Sequence, residues 1–137
     1  MSIREQGPNG LRVLVVEDDA DTAQSMAMWL ETLGHAPFLA RTGPGAVDAA
    51  RAQLPDVVLL DIALPGLDGY EVARQIRQLE APRKPLLVAI TGYGRDEDRR
   101  RAGEAGIDLH LLKPANLDHL GELLKGFETY LREGAAR

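Results

Sequence analysis

The sequence predicts an α/β fold, an open and parallel sheet wrapped by helices on both faces, and two observations predict it. Apolar runs of strand length alternate with segments of helical period in five successive units, the pattern that a parallel sheet with crossover helices requires. Two of these runs, Arg12 to Val16 and Val57 to Leu60, are almost unbroken Val and Leu, which suits strands covered on both faces and not strands with one wet side.

Taken in order, the first strand, Arg12 to Val16, turns acidic at its end and leads to a helix capped by Asp19. Met26, Leu30 and Leu33 recur in that helix at the spacing of a buried stripe, and Gly34 ends it. The second strand, about Ala36 to Ala40, contains Pro37, which cannot donate to a ladder and favours a sheet edge. A short Ala-rich helix follows near Gly45 to Gln53. Val57 to Leu60 then deliver Asp61 at the carboxyl end of a third strand. Asp68, with Glu71 three residues on, reads as a capping box for a helix carrying Val72, Ile76 and Leu79. Pro82 and Pro85 bracket the connection to strand four, Leu86 to Ile90, with Thr91 at its end. Asp96, Glu97 and Asp98 open a fourth helix, where negative charge suits the helix dipole, and Arg100 and Arg101 lie four residues beyond the first two. Strand five, about Leu109 to Leu112, runs into Lys113 and Pro114, and a final helix sets Leu120, Leu124, Phe127 and Leu131 along one stripe.

The 137 residues suit one domain, expected over residues 11–132, with a polar lead-in at 1–10 and a tail at 133–137. Sixteen basic residues against 21 acidic leave a formal charge of −5, which works against direct nucleic-acid binding, since that relies on neutralising phosphates. Without cysteine there is neither a disulfide framework nor a thiolate metal site. No apolar run approaches the roughly 18 residues of a membrane span, and a cytoplasmic location with no membrane partner is expected.

The chemistry gathers at strand ends. In an open parallel sheet, ligands bind outside the carboxyl ends of the strands, and there this chain puts Glu17 with Asp18, then Asp61, Thr91 and Lys113. A lone carboxylate after a strand is most often a cap or a surface charge; arrival of the whole set at one edge is a different matter. Crowded carboxylates raise one another's pKa unless a cation neutralises them. Mg2+ fits, because it takes oxygen ligands and needs only one or two carboxylates plus substrate phosphate. His35, His110 and His119 show neither the pairing nor the clustering of a zinc site. The set suggests attack of the Asp61 carboxylate on phosphorus, with Lys113 and Mg2+ bearing phosphoryl charge and Thr91 donating a hydrogen bond.

With these residues in place, the chain resembles the receiver domains of bacterial response regulators from about Leu11 to Leu131. The resemblance rests on Val13-Leu14-Val15-Val16-Glu17-Asp18-Asp19, on Leu59-Leu60-Asp61-Ile62-Ala63-Leu64-Pro65-Gly66-Leu67-Asp68-Gly69, on Ala89-Ile90-Thr91-Gly92 and on Leu111-Leu112-Lys113-Pro114. It implies a flavodoxin-like sheet in the order 2-1-3-4-5 with five helices, and Asp61 as phosphoacceptor. It implies a Mg2+ site of Asp18, Asp61 and the backbone carbonyl of Ala63, with Glu17 nearby or acting through water. It implies a cis bond before Pro114 in many members, and Thr91 as a switch residue paired with an aromatic ring at the position that His110 holds here. Ala63 and Tyr93 fall where family side chains guide or block a hydrolytic water. Thr91-Gly92-Tyr93-Gly94 together with His110 is most similar to receivers of hybrid histidine kinases. The implied partners are a histidine kinase or histidine phosphotransfer protein upstream, and an effector protein or attached kinase domain downstream. The implied role is a signalling phosphoacceptor and not an enzyme with turnover, beyond self-catalysed phosphorylation and slow autodephosphorylation.

Three other functions are weaker. A receiver-like interaction module that works without phosphorylation would not need Asp61, Thr91 and Lys113 together. An aspartyl phosphatase commonly carries a second Asp two residues after the nucleophile, where this chain has Ala63. Dinucleotide binding would need a third glycine where Asp48 stands.

Overall fold

The structure, a computed structural model, describes residues 10–62, 68–91, 100, 103–113 and 116–135. Among them lie strands β1 (Arg12–Val16), β2 (Ala36–Ala40), β3 (Val57–Asp61), β4 (Leu86–Thr91) and β5 (Leu109–Leu112), and helices α1 (Ala20–Thr32), α2 (Gly43–Gln53), α3 (Gly69–Arg77) and α4 (Leu117–Ala135). The helix expected to open at Asp96 falls mostly outside the described residues; Arg100 and residues 103–104 are helical.

The five strands form one parallel sheet in the order β2-β1-β3-β4-β5, with β1 paired to both β2 and β3. Period-two alternation splits the strand side chains between two cores. Leu14, Val16, Val58, Leu60, Leu87 and Ala89 pack with Ala46, Val47, Val72, Ala73 and Ile76 of α2 and α3. Val13, Val15, Val57, Leu59, Val88 and Ile90 pack on the other face with Leu30 of α1 and Leu120 and Leu124 of α4. Every residue of β3 is buried, as the unbroken Val/Leu run requires. Each fully buried Leu or Val contributes about 1.5–3 kcal/mol.

Local chemistry sets the ends of the elements. Asp19 caps α1, its carboxylate accepting from Thr22 N at 2.8 Å. At the far end Gly34 adopts φ +89°, and two backbone bonds close the helix, Gly34 N to Glu31 O at 3.0 Å and His35 N to Leu30 O at 3.1 Å. Thr42 caps α2 with Pro44 in the first turn, so this helix starts two residues before the expected Gly45. Asp56, 5% exposed at the entrance to β3, is a structural carboxylate. It accepts from Arg12 N at 2.8 Å and pairs with Arg83 at 2.7 Å, tying β1 and β3 at the edge opposite the acidic residues.

Further details differ from the sequence expectation. The buried face of α1 is Ala23, Ala27 and Leu30, whereas Leu33, the C-cap residue just past the last helical position, is 45% exposed. Glu71 does not serve the expected capping box; Arg74 and Gln75 engage it along the helix, while Asp68 still caps α3 by accepting from Tyr70 N at 2.9 Å. Strand β4 takes in Thr91, because the ladder to β5 extends to the Thr91–Leu112 pair. Helix α4 continues through Glu133 and Gly134 to Ala135.

The connection from β1 runs through α1 to the edge strand β2, while β3 pairs on the other side of β1. Chain paths thus diverge between the carboxyl ends of β1 and β3, and such a switch point leaves a crevice there.

Candidate functional site

Glu17, Asp18 and Asp61 flank that crevice. Each contributes a carboxylate oxygen, and the three oxygens lie within 4.8 Å of one another. The β1–β2 ladder carries Glu17 to its place, since its backbone N–H donates to Ala40 O at 3.0 Å just past the paired strands. The Glu17 carboxylate then accepts from Asp19 N at 3.2 Å. Asp61 ends β3 and is 7% exposed. Lys113, immediately after β5, reaches over β4 and sets its Nζ 3.0 Å from Asp61 Oδ2. The Lys113 N–H donates to Thr91 O at 2.7 Å, which ties the lysine backbone to the end of β4. Thr91 is 3% exposed. A cleft of about 760 Å³ opens over these residues, with Met26 and Leu117 among its apolar walls.

Burial raises the pKa of Glu17 to about 7; the Asp61 charge and hydrogen bonds with Asp18 and Asp61 add to the rise, and the Asp19 N–H opposes it. Three crowded carboxylates, one holding its proton toward neutrality and one paired with an ammonium, make an all-oxygen donor set deficient in positive charge. That chemistry fits a hard divalent cation.

Glu17, Asp18, Asp61, Thr91 and Lys113, which the sequence puts at strand ends, thus stand at one sheet edge. His110 pairs with Ala89 in the β4–β5 ladder, so it shares a sheet face with Ala89 and Thr91 and lies one side-chain step below the Thr91 level. Ala63, Tyr93 and Pro114 lie outside the described residues, and with them the expected backbone ligand at 63, the positions expected near a hydrolytic water and the expected cis bond before Pro114. Sequence reasoning missed Arg41, whose Nε and Nη2 both donate to the Asp18 carbonyl, at 3.0 and 2.5 Å. It also missed the apolar wall of the cleft. Met26 had been assigned to the helix stripe alone, and Leu117 to no role.

A doubly wound parallel sheet with an acidic cluster, a hydroxyl and a lysine at its switch-point edge has the groups to hold a divalent cation and a phosphoryl group together. The chain belongs to the response regulator receiver domain family, whose sequence model matches residues 13–125. Among its relatives is the transcriptional regulatory protein ResD of Bacillus subtilis, 36% identical over 77% of this chain and 43% of ResD, so that the chain spans under half of that regulator. Among solved structures, the receiver domain of sensor histidine kinase PA1611 from Pseudomonas aeruginosa is 32% identical. Its TM-score is 0.78 over 88% of this chain and 98% of that one, and it has a magnesium ion coordinated in its active site cleft. A chain of the Saccharomyces cerevisiae complex between the histidine phosphotransfer protein Ypd1 and the receiver domain of its downstream response regulator Ssk1 is 26% identical. There the TM-score is 0.79, over 88% of this chain and 90% of that one.

Proposed function

We propose that Asp61 accepts a phosphoryl group from the phosphohistidine of a histidine kinase or histidine phosphotransfer protein. The aspartyl phosphate then switches contacts with a downstream effector protein or an attached kinase domain. The observation that carries this reading is the buried Asp61 carboxylate, paired with Lys113 at 3.0 Å and clustered with Glu17 and Asp18 within 4.8 Å. An Asp61 oxygen attacks phosphorus in line as the P–N bond to the donor imidazole breaks, and the bonding pair leaves with the imidazole nitrogen. Glu17, Asp18, Asp61 and the backbone carbonyl of Ala63 would hold Mg2+, which supplies charge neutralisation for the transferring group. The Lys113 ammonium stays within reach of both the carboxylate and the oxygens of the arriving phosphoryl group, so it stabilises product charge without having to move far. The Thr91 hydroxyl donates to a phosphoryl oxygen once one is present, and His110, one step away on the same sheet face, relays that engagement to β5.

Transfer is stoichiometric and self-catalysed, and slow autodephosphorylation returns the free carboxylate. The acting unit is residues 11–132, flanked by the lead-in and the tail. The net charge of −5 supports protein partners over nucleic acid. None of the described helices is long and apolar enough to cross a membrane. Phosphotransfer from a histidine kinase or phosphotransfer protein would put the chain on the cytoplasmic side.

The test is intact-mass spectrometry after incubation with acetyl phosphate and Mg2+, and with a phosphorylated histidine phosphotransfer protein. One added phosphoryl group on the wild type and none on Asp61→Asn is the expected result. A modification that survives in Asp61→Asn, or its absence with every donor, rejects the assignment; in the second case, partner binding unchanged by Asp61→Ala would favour a phosphorylation-independent module.

A further inference from the structure

We infer that Arg41 is a positioning residue for the acidic site, clamping the Asp18 carbonyl so that Glu17 and Asp18 face Asp61 in the arrangement that binds a divalent cation. The inference deepens the proposed Mg2+ site and rests on it. Arg41 is the first residue beyond β2, and parallel pairing of Val16 with Ala40 brings it beside the chain leaving β1. Two successive contacts then tie that chain to the end of β2. The Glu17 N–H donates to Ala40 O at 3.0 Å, and the Asp18 carbonyl accepts both Nε–H and Nη2–H of Arg41, at 3.0 and 2.5 Å. On its other side the loop is fixed by Asp19, whose carboxylate caps α1 through Thr22.

Holding this loop has a physical purpose. Glu17, Asp18 and Asp61 bring three carboxylates within 4.8 Å, and their repulsion pushes residues 17 and 18 away from β3. A neutral anchor would resist this only weakly. A planar guanidinium resists it with two directed, charge-assisted bonds from the solvent side, without occupying the carboxylate oxygens that a cation needs. Arg41 touches no reacting atom. It acts through the main chain of a ligand residue, in the way that outer partners orient metal ligands.

Position and charge make opposite predictions. Removing a positive charge next to an acidic cluster, by itself, tightens cation binding; releasing the loop weakens it. Lysine keeps the charge and, as a point donor, cannot reproduce the planar fork. The experiment is a Mg2+ titration of the whole chain, wild type, Arg41→Lys and Arg41→Ala, followed by calorimetry and by the fluorescence of Trp29, the single tryptophan, partly buried in α1. Thermal melts of the metal-free proteins run in parallel. The expected result is a Kd about tenfold weaker in both variants, the lower end of what losing an orienting partner costs, with melting temperatures close to wild type. Arg41→Lys binding as wild type does, or Arg41→Ala binding more tightly, would mean that Arg41 acts through charge alone and overturns the clamp. Weakened binding that only tracks a collapsed melting temperature overturns it as well. If the wild type itself binds no Mg2+, the cation site fails and the clamp with it, an outcome distinct from the others because it appears before any substitution is made.

Discussion

Lys113 and Asp61 form an unequal pair: the carboxylate side chain is 8% exposed and the lysine 42%, so the acid depends on the contact more than the base does. Lys113→Ala takes one donor from a buried carboxylate. Because water reaches the ammonium end, the cost to the metal-free protein is about 1 kcal/mol, well below that of breaking a fully buried pair. Phosphorylation by acetyl phosphate slows by about a hundredfold, since a preorganised charge beside the transferring group is lost. Urea melts and intact-mass time courses measure the two effects, and a variant that phosphorylates at the wild-type rate would remove Lys113 from the mechanism. These residues were legible in the sequence for a physical reason: Glu17, Asp18, Asp61, Thr91 and Lys113 each follow a strand-length apolar run, and parallel strands deliver their carboxyl ends to one edge. Arg41 was not legible. Its partner is a main-chain carbonyl, it follows the least apolar strand, and only the Val16–Ala40 register reveals its neighbour.

At the scale of elements, α3 meets β3 with no space between them. A Cβ on Gly69, the first residue of α3, would lie 2.7 Å from Ile62 Cα and 2.8 Å from Ile62 O, both backbone atoms of the residue after Asp61. Gly69→Ala therefore forces α3 or the end of β3 to shift. It should destabilise the protein by about 2 kcal/mol, within the usual cost of overpacking, and slow phosphorylation because Asp61 moves with Ile62. Normal stability together with a normal rate would show that the contact relaxes freely. The central strands were readable because buried parallel strands leave no alternation to blur, and β1, β2 and β5 begin and end where the sequence puts them, while β3 runs one residue further, to Asp61. Helix faces were harder to read. In α1 two of the three buried positions are alanines, which carry little hydrophobic signal, so beside the correctly read Leu30 the larger Leu33 drew the predicted stripe toward solvent. The capping box failed for a similar local reason, because Arg74 and Gln75 stand one turn beyond Glu71 and compete for it.

Over the whole molecule, two titrating groups pull stability in opposite directions across overlapping pH ranges, and a cation at the proposed site would remove one of them. Glu17 has its folded pKa raised from 4.5 to about 7, so its contribution is fully present below 4.5 and is lost as the pH rises through 7. His35, 7% exposed, has its pKa lowered from 6.5 by burial, against the charge of Glu128, and its Nδ1 accepts from Leu11 N at 3.0 Å, a bond that requires an unprotonated nitrogen. Its contribution is therefore fully present above 6.5 and is lost as the pH falls toward the depressed folded value. In the metal-free protein the two slopes oppose each other just below pH 6.5, where Glu17 is losing its contribution and His35 is gaining its own, and denaturant melts should show a shallow dependence there. Glu17→Gln deletes the falling component, so this variant should gain stability as the pH rises toward 6.5, level off beyond it, and surpass the metal-free wild type most clearly above pH 7. Mg2+ at the proposed site should do the same to the wild type by favouring ionised Glu17. At a hundred times its Kd such an ion would add about 2.7 kcal/mol, and if Glu17 is a ligand its proton must leave for the cation to bind, so a fixed Mg2+ concentration should stabilise more at pH 8 than at pH 5.5. Equal stabilisation at both pH values would show that Glu17 takes no part in holding the ion, and would leave Asp18 and Asp61 as the side chains of the proposed site.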